Sequence, residues 1–190
     1  MRLVFATNNK HKLEEVQALT GEKIKLVTLE EIGCYDDIPE TGITFRENAS
    51  QKSHYLLQNF NVDCFADDSG LEVDTLNGEP GVFSARYSGT RDMKRNLQLV
   101  LDRMKDKTDR KARFRCVISL IIKGEEYFFE GSVEGTIAKE PSGSDGFGYD
   151  PIFVPEGYTK TFAEMDGEEK NRISHRGKAV SQLVEFLAGL

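Results

Sequence analysis

The first 29 residues constrain the fold more than any other stretch. "RLVFA" (2–6) is a short apolar run cut off by Thr7-Asn8-Asn9, and reads as a buried strand. Leu13, Val16, Gln17 and Leu19 follow at helical spacing, Gly21 stops the helix, and "IKLVTL" (24–29) predicts a second strand. Lys23 falls on a surface turn between them. Strand, polar turn, helix, strand is a βαβ unit, whose two strands lie parallel. At least part of the sheet should therefore be parallel, and the class is α/β.

The remaining pattern extends that frame. Phe45, Ala49, Tyr55 and Leu56 predict a helix over 43–59, with Thr41 or Thr44 as its cap. "VDCFADDSGLEVDTL" (62–76) predicts two short strands around Asp67-Asp68-Ser69-Gly70, and a Gly/Pro-rich loop covers 77–90. An amphipathic helix follows at 92–105, then a β-rich stretch at 112–138 with a hairpin turn at Lys123-Gly124-Glu125. A long Gly/Pro loop at 141–157 flanks one strand, and Val180, Leu183, Val184 and Leu187 stripe a final helix. With 190 residues and no repeat or linker, the expectation is one domain over 1–190. It should hold a mixed β-sheet flanked by helices, in two lobes with a cleft between them.

Composition excludes several classes. A net charge of −7 argues against sequence-independent binding to nucleic acid or anionic membrane, which needs an excess of Lys and Arg. A small anionic ligand needs only a local cation cluster. Cys34, Cys64 and Cys116 are far apart and lack metal-ligand spacing, so they read as three reduced thiols. The first 25 residues hold no signal peptide or membrane span, which makes a cytoplasmic protein the expectation.

Five stretches carry chemistry. "FATNNKHK" (5–12) leaves a strand and enters a helix, so its backbone N–H groups, with Lys10 and Lys12, suit an anion. It is not a P-loop, and an ordinary turn with solvated lysines is the competing reading. "ADDSGLEVD" (66–74) places adjacent carboxylates at a strand end, pointing to opposite faces. Asp67 and Asp68 suit a hard cation such as Mg²⁺, or else cap local backbone in an Asx-turn. In "PETGITFRENASQK" (39–52), Glu40 precedes a flexible Thr-Gly and can swing toward a metal, while Arg46 and Glu47 read as a solvated helix face. "SGSDGFGYDP" (142–151) holds Phe147 among glycines, either stacked on a flat ligand or tucked into the core. In "GEEKNRISHRGKA" (167–179), Lys170, Arg172, His175, Arg176 and Lys178 crowd a helix start, where cations oppose the helix dipole. Such a misfit marks a site whose missing negative charge is a ligand. Together the stretches suit a Mg²⁺-bound polyphosphate carrying a flat base.

"FATNNKHKLEEV", "ETGITFRENASQKS", "ADDSGLEVDTLNGEPGVFSARYSG", "GFGYDPIF" and "EKNRISHRGKA" resemble, in order and spacing, the inosine/xanthosine triphosphate pyrophosphatases, from about residue 3 to 187. Ser53 departs from the alanine more usual there. The resemblance implies an elongated mixed α/β structure with its active-site cleft between two lobes, usually a homodimer. It implies that Thr7, Asn8, Asn9, Lys10, His11 and Lys12 line the triphosphate and that Lys52 touches phosphate. Asp68 would be magnesium ligand and base for the attacking water, Glu40 a further metal ligand, Asp67 a supporting carboxylate, and Ser69 a substrate contact. Phe147, Gly148, Tyr149, Asp150, Lys170, His175 and Arg176 would hold the base and ribose. The implied activity is hydrolysis of ITP, dITP and XTP to monophosphate and pyrophosphate, cleansing the nucleotide pool. A nucleotide sensor without turnover and a pyrimidine triphosphate pyrophosphatase are the alternatives.

Overall fold

A computed structural model of the chain describes residues 1–22 and 24–190. Lys23, expected on a surface turn, lies outside the described residues. The opening follows the expected order: β1 (Arg2–Phe5), α1 (Lys10–Thr20) and β2 (Lys25–Val27), with β1 and β2 parallel and Leu3 opposite Leu26. Then come α2 (Phe45–Phe60), β3 (Cys64–Val73), α3 (Met93–Arg103), β4 (Lys111–Ile122), β5 (Glu125–Ile137), β6 (Phe153–Pro155), α4 (Gly167–Ile173) and α5 (His175–Ala188). Among the described residues the strands form one six-stranded sheet in the order β2-β1-β3-β4-β5-β6. It is mixed, since β1 is parallel to β2 and β3 while β5 and β6 are antiparallel. Lys123 and Gly124 both take positive φ (53° and 82°), the backbone that a two-residue hairpin between β4 and β5 requires.

The chain falls into two compact units. The first comprises 1–68, 116–131 and 176–190, and the second 69–115 and 132–175. In the first, strand alternation sorts the core into two layers. Leu3, Phe5 and Phe65 face Val16 of α1 and Val180 and Leu183 of α5. Val4, Ala6, Cys64 and Ala66 face Leu56 of α2. Phe5 and Phe65 stack with centroids 4.5 Å apart and planes at 7°, and truncating either to Ala would cost about 3–5 kcal/mol. The second unit buries Leu97, Val100 and Met104 of α3 with Phe114, Phe153, Phe162 and Met165.

Two expectations are corrected. Residues 62–76 do not form two strands about a turn: β3 runs unbroken through Asp67-Asp68-Ser69-Gly70. The acidic pair needs no Asx-turn because side chains from elsewhere in the chain satisfy it. The cation-rich stretch is not one helix start either. Lys170 and Arg172 lie in the last turn of α4, where cations suit the dipole. Ser174, in extended conformation, separates that helix from α5.

Candidate active site

In the first unit the site is built on the middle of β3, at Asp67 and Asp68. Asp67 continues the Phe65 face, toward α1 and α5, and Asp68 continues the Ala66 face, toward α2. Asp67 is 1% exposed. Its Oδ1 accepts from Lys12 Nζ at 3.0 Å, and its Oδ2 accepts from Arg176 Nε and Nη2 at 3.3 and 3.2 Å. Burial alone would raise its pKa. The charges of Lys12, Arg176 and Lys52 outweigh burial and hold the carboxyl well below the usual carboxylate range. Cys116 Sγ lies 3.9 Å from the same Oδ2, and burial beside that carboxylate pushes the thiol up to about 12.

Asp68 behaves in the opposite way. Its Oδ2 accepts from Asn48 Nδ2 at 2.9 Å. Burial dominates over the pull of Lys52 and Lys12 and over the Asn48 hydrogen bond, so its pKa is raised. Neighbouring Glu40 adds to the rise. Lys52, from the buried face of α2, donates to the Asp67 carbonyl at 2.6 Å and pairs with Glu40. Burial opposes its charge, but Glu40, Asp68 and Asp67 prevail and raise its pKa. Glu40 is lowered in turn: burial would raise it, and Lys52 overrides that.

The strand-to-helix turn supplies the cationic end. Asn9 is the N-cap of α1 and accepts from Lys12 N at 3.2 Å, and Thr7 Oγ1 accepts from Asn9 N at 3.1 Å. No acidic residue occupies the first turn of α1, so its N-terminal dipole is not neutralised locally. Asn8, Lys10 and His11 are exposed there, and His11 Nδ1 stands 4.0 Å from Glu14.

Arg176 is 2% exposed. Besides Asp67 it meets Glu15 Oε2 at 2.5 Å through Nη1, so α1 and β3 supply two negative charges where the sequence suggested a ligand. Ser53 is buried, with its Oγ 2.6 Å from Ser119 Oγ, and Ser119 donates to Glu126 Oε1 at 2.7 Å.

In the second unit, Lys170 and Asp150 form a buried pair at 2.7 Å. Asp150 Oδ2 also accepts Phe147 N at 3.0 Å, and Lys170 Nζ lies 5.1 Å from the centroid of the half-buried Phe147 ring. Gly146 has φ 71°, and a Cβ there would strike the Asp150 carboxylate, so only glycine permits this loop. Gly148 also takes positive φ. Tyr149 donates to the Ser84 carbonyl at 2.6 Å and acts as an anchor of the loop. Buried His175 stacks on Phe114, with centroids 4.7 Å apart. Ser69, the first residue of this unit, is half-buried.

A family model described as the Ham1 family matches residues 3–186. The chain belongs to the Ham1 family. Among relatives of this Ham1 protein, a dITP/XTP pyrophosphatase of Flavobacterium psychrophilum is 52% identical over 187 residues, covering 98% of each chain. A dITP/XTP pyrophosphatase of Bacillus subtilis is 46% identical over 191 residues, covering 97% of this chain and 96% of the relative. A solved HAM1 protein from Coxiella burnetii superposes with TM-score 0.91 at 41% identity over the whole of both chains. The Staphylococcus aureus Ham1 protein gives 0.90 at 41%, over 100% of this chain and 99% of that one.

Four residues that touch the side chains of this Ham1 site were given no role from the sequence: Glu15 and Asn48, inside the quoted motifs, and Phe114 and Cys116, outside them. Asn48 left a signal. Phe45, Asn48, Ala49, Lys52, Ser53 and Leu56 are the buried residues of α2, spaced i, i+3, i+4, i+7, i+8, i+11. Three polar residues on that stripe break the apolar pattern of a core-facing helix.

Proposed function

We propose that this chain hydrolyses non-standard purine nucleoside triphosphates (ITP, dITP and XTP) to the monophosphate and pyrophosphate, as a nucleoside-triphosphate pyrophosphatase that cleanses the nucleotide pool. Its membership of the Ham1 family and its close relatives described as dITP/XTP pyrophosphatases support the reading. The observation that carries it is the division of labour midway along β3. Asp67 is locked among cations, while Asp68, one residue on, has a raised pKa.

The N-terminus of α1, with Lys12 and Lys52, would bind the triphosphate, as charge-assisted donors and a helix dipole suit phosphate oxygens. A raised pKa suits Asp68 to orient a water and take its proton, for attack on the α-phosphorus with pyrophosphate leaving. Asp67 holds Lys12 and Arg176 in place.

Among the described residues no group of three or more His, Cys, Asp or Glu gathers as a metal cluster. Mg²⁺ still fits the donors present, because it is commonly held by one or two carboxylates with waters and substrate phosphates. Glu40 and Asp68, whose carboxyl feels the Glu40 charge, are the two carboxylates proposed to hold it. When bound, Mg²⁺ would neutralise charge developing on the phosphate oxygens.

In the second unit Phe147 would stack on the purine, with Lys170, Asp150 and His175 around base and ribose. Arg176 is engaged by Asp67 and Glu15, so backbone N–H groups of the 146–150 loop are the favoured donors to the 6-keto oxygen. Adenine offers an amino group there, and such a polar mismatch can discriminate by about four orders of magnitude. The reading includes a single domain over 1–190, a homodimer and a cytoplasmic location. No described helix is long and apolar enough to cross a membrane.

The test is a panel of nucleoside triphosphates with Mg²⁺, scored for pyrophosphate and monophosphate. ITP, dITP and XTP should be cleaved, and ATP, GTP and pyrimidine triphosphates much less. Equal kcat/KM for ATP and ITP would overturn the selectivity. Tight binding of ITP without pyrophosphate release would make the protein a sensor.

A further inference from the structure

Asn48 is 1% exposed on α2, and its carboxamide meets two partners of opposite kind. Nδ2 donates to Asp68 Oδ2 at 2.9 Å, and Oδ1 accepts the Gly42 N–H at 2.7 Å. A carboxylate accepts and a backbone N–H donates, so the two partners fix which way the amide faces. The Gly42 approach is close. A Cβ there would lie 2.6 Å from Glu47 Cβ and 2.9 Å from Asn48 Oδ1, too near for any other residue.

The neighbouring loop N–H groups are tied to the same helix. Thr41 N donates to Gln51 Oε1 at 2.8 Å and Ile43 N to Glu47 Oε2 at 2.7 Å. These bonds hold the segment after Glu40 alongside α2. Of the three side chains, Asn48 is the one that also reaches β3. The helix start does not depend on it, because Thr44 already caps α2 by accepting from Glu47 N at 3.1 Å.

We infer that Asn48 is a positioning residue: one amide sets the orientation of the Asp68 carboxylate and ties it to the loop that carries Glu40, so the two carboxylates are presented together to a divalent cation. This rests on the proposed assignment of Glu40 and Asp68 as its ligands. Residues that orient ligands in this way typically change metal affinity or activity by about 10–100-fold when lost. Gln51 provides the control, since it braces the same loop without touching Asp68.

Asn48→Leu keeps the approximate side-chain volume and removes both bonds, and Gln51→Leu removes only the loop bonds. Mn²⁺ binding by the nucleotide-free protein is measured by calorimetry, alongside steady-state turnover of ITP with Mg²⁺ and thermal melting. Asn48→Leu should weaken Mn²⁺ about tenfold and lower kcat about 10–100-fold, with KM changed less than about threefold. Gln51→Leu should stay within about threefold of wild type throughout. Should Asn48→Leu fail to fold, Asn48→Ser is read by the same criteria. Equal effects of the Asn48 and Gln51 variants would overturn the inference, as would unfolding of both Asn48 variants while Gln51→Leu stays folded. A wild-type protein that binds no Mn²⁺ also overturns it. If the wild type binds Mn²⁺ but cleaves no purine triphosphate, the proposed activity fails and the Mn²⁺ comparison alone decides Asn48.

Discussion

Asp67 and Asp68 are chemically identical and adjacent, and burial pushes both pKa values up, yet the net shifts are opposite because strand alternation hands them different neighbouring charges. Asp68 is disfavoured as an anion by its surroundings. Its raised folded pKa means that the protonated form is preferred in the fold. That preference stabilises the fold below the ordinary Asp value and is lost as pH rises through the folded one. At neutral pH the ionised carboxylate therefore costs stability. Asp68→Asn should cut turnover by about a thousandfold while raising the melting temperature at pH 7 without divalent ions. A lower melting temperature would contradict the electrostatic argument. Asp67 carries the opposite sign: its lowered pKa contributes stability above the ordinary Asp value that is lost as pH falls below the usual carboxylate range. Arg176→Ala would leave Asp67 and Glu15 without their shared cation, and breaking a buried pair of this kind costs about 3–5 kcal/mol. Urea unfolding at pH 7 measures it, and a cost below about 1 kcal/mol would mean that Arg176 is dispensable to the fold.

At the scale of elements, α1 and α2 each bring one lysine to the middle of β3. Lys12 is 15% and Lys52 9% exposed as side chains, so each sits where solvent screens its charge little. Lys12→Ala and Lys52→Ala should each lower kcat/KM for ITP by about 100-fold, from loss of charge-assisted phosphate contacts and release of the carboxylates they hold. Lys94→Ala, on the exposed side of α3, should change it less than about twofold. Parallel losses in all three variants would mean that net charge, and not a built site, drives the effect. The helices themselves were legible from the sequence. Thr44, one of two candidate caps, is the one used, because its side chain reaches Glu47 N. The break between α4 and α5 was not legible, since "ISHRG" contains no proline and its only glycine lies inside α5.

For the whole molecule, the expected assembly is a homodimer, which light scattering at micromolar concentration tests directly. A monomer would remove the dimer and leave the chemistry untouched. The mixed sheet is confirmed by its parallel and antiparallel pairs, and the Ham1 membership spans nearly the full chain.

Local information in the sequence sufficed for whatever depends on neighbours along the chain. The βαβ opening, the caps, the hairpin at Lys123-Gly124 and the opposite facing of Asp67 and Asp68 all follow from periods of 3.6 or 2 and from backbone preferences. What answers each charge was decided only by tertiary structure. Arg176 and Asp67 are 109 positions apart, and Arg176 and Glu15 161 apart, distances over which no periodicity carries information. Of the cations that looked misplaced at a helix start, Arg176 is balanced by carboxylates from β3 and α1, Lys170 by Asp150 and Arg172 by Glu168. The acidic pair that looked like a turn stays in a strand because Lys12, Lys52, Arg176 and Asn48 satisfy it. A buried charge persists only where a partner arrives, and the folding of distant segments supplies that partner.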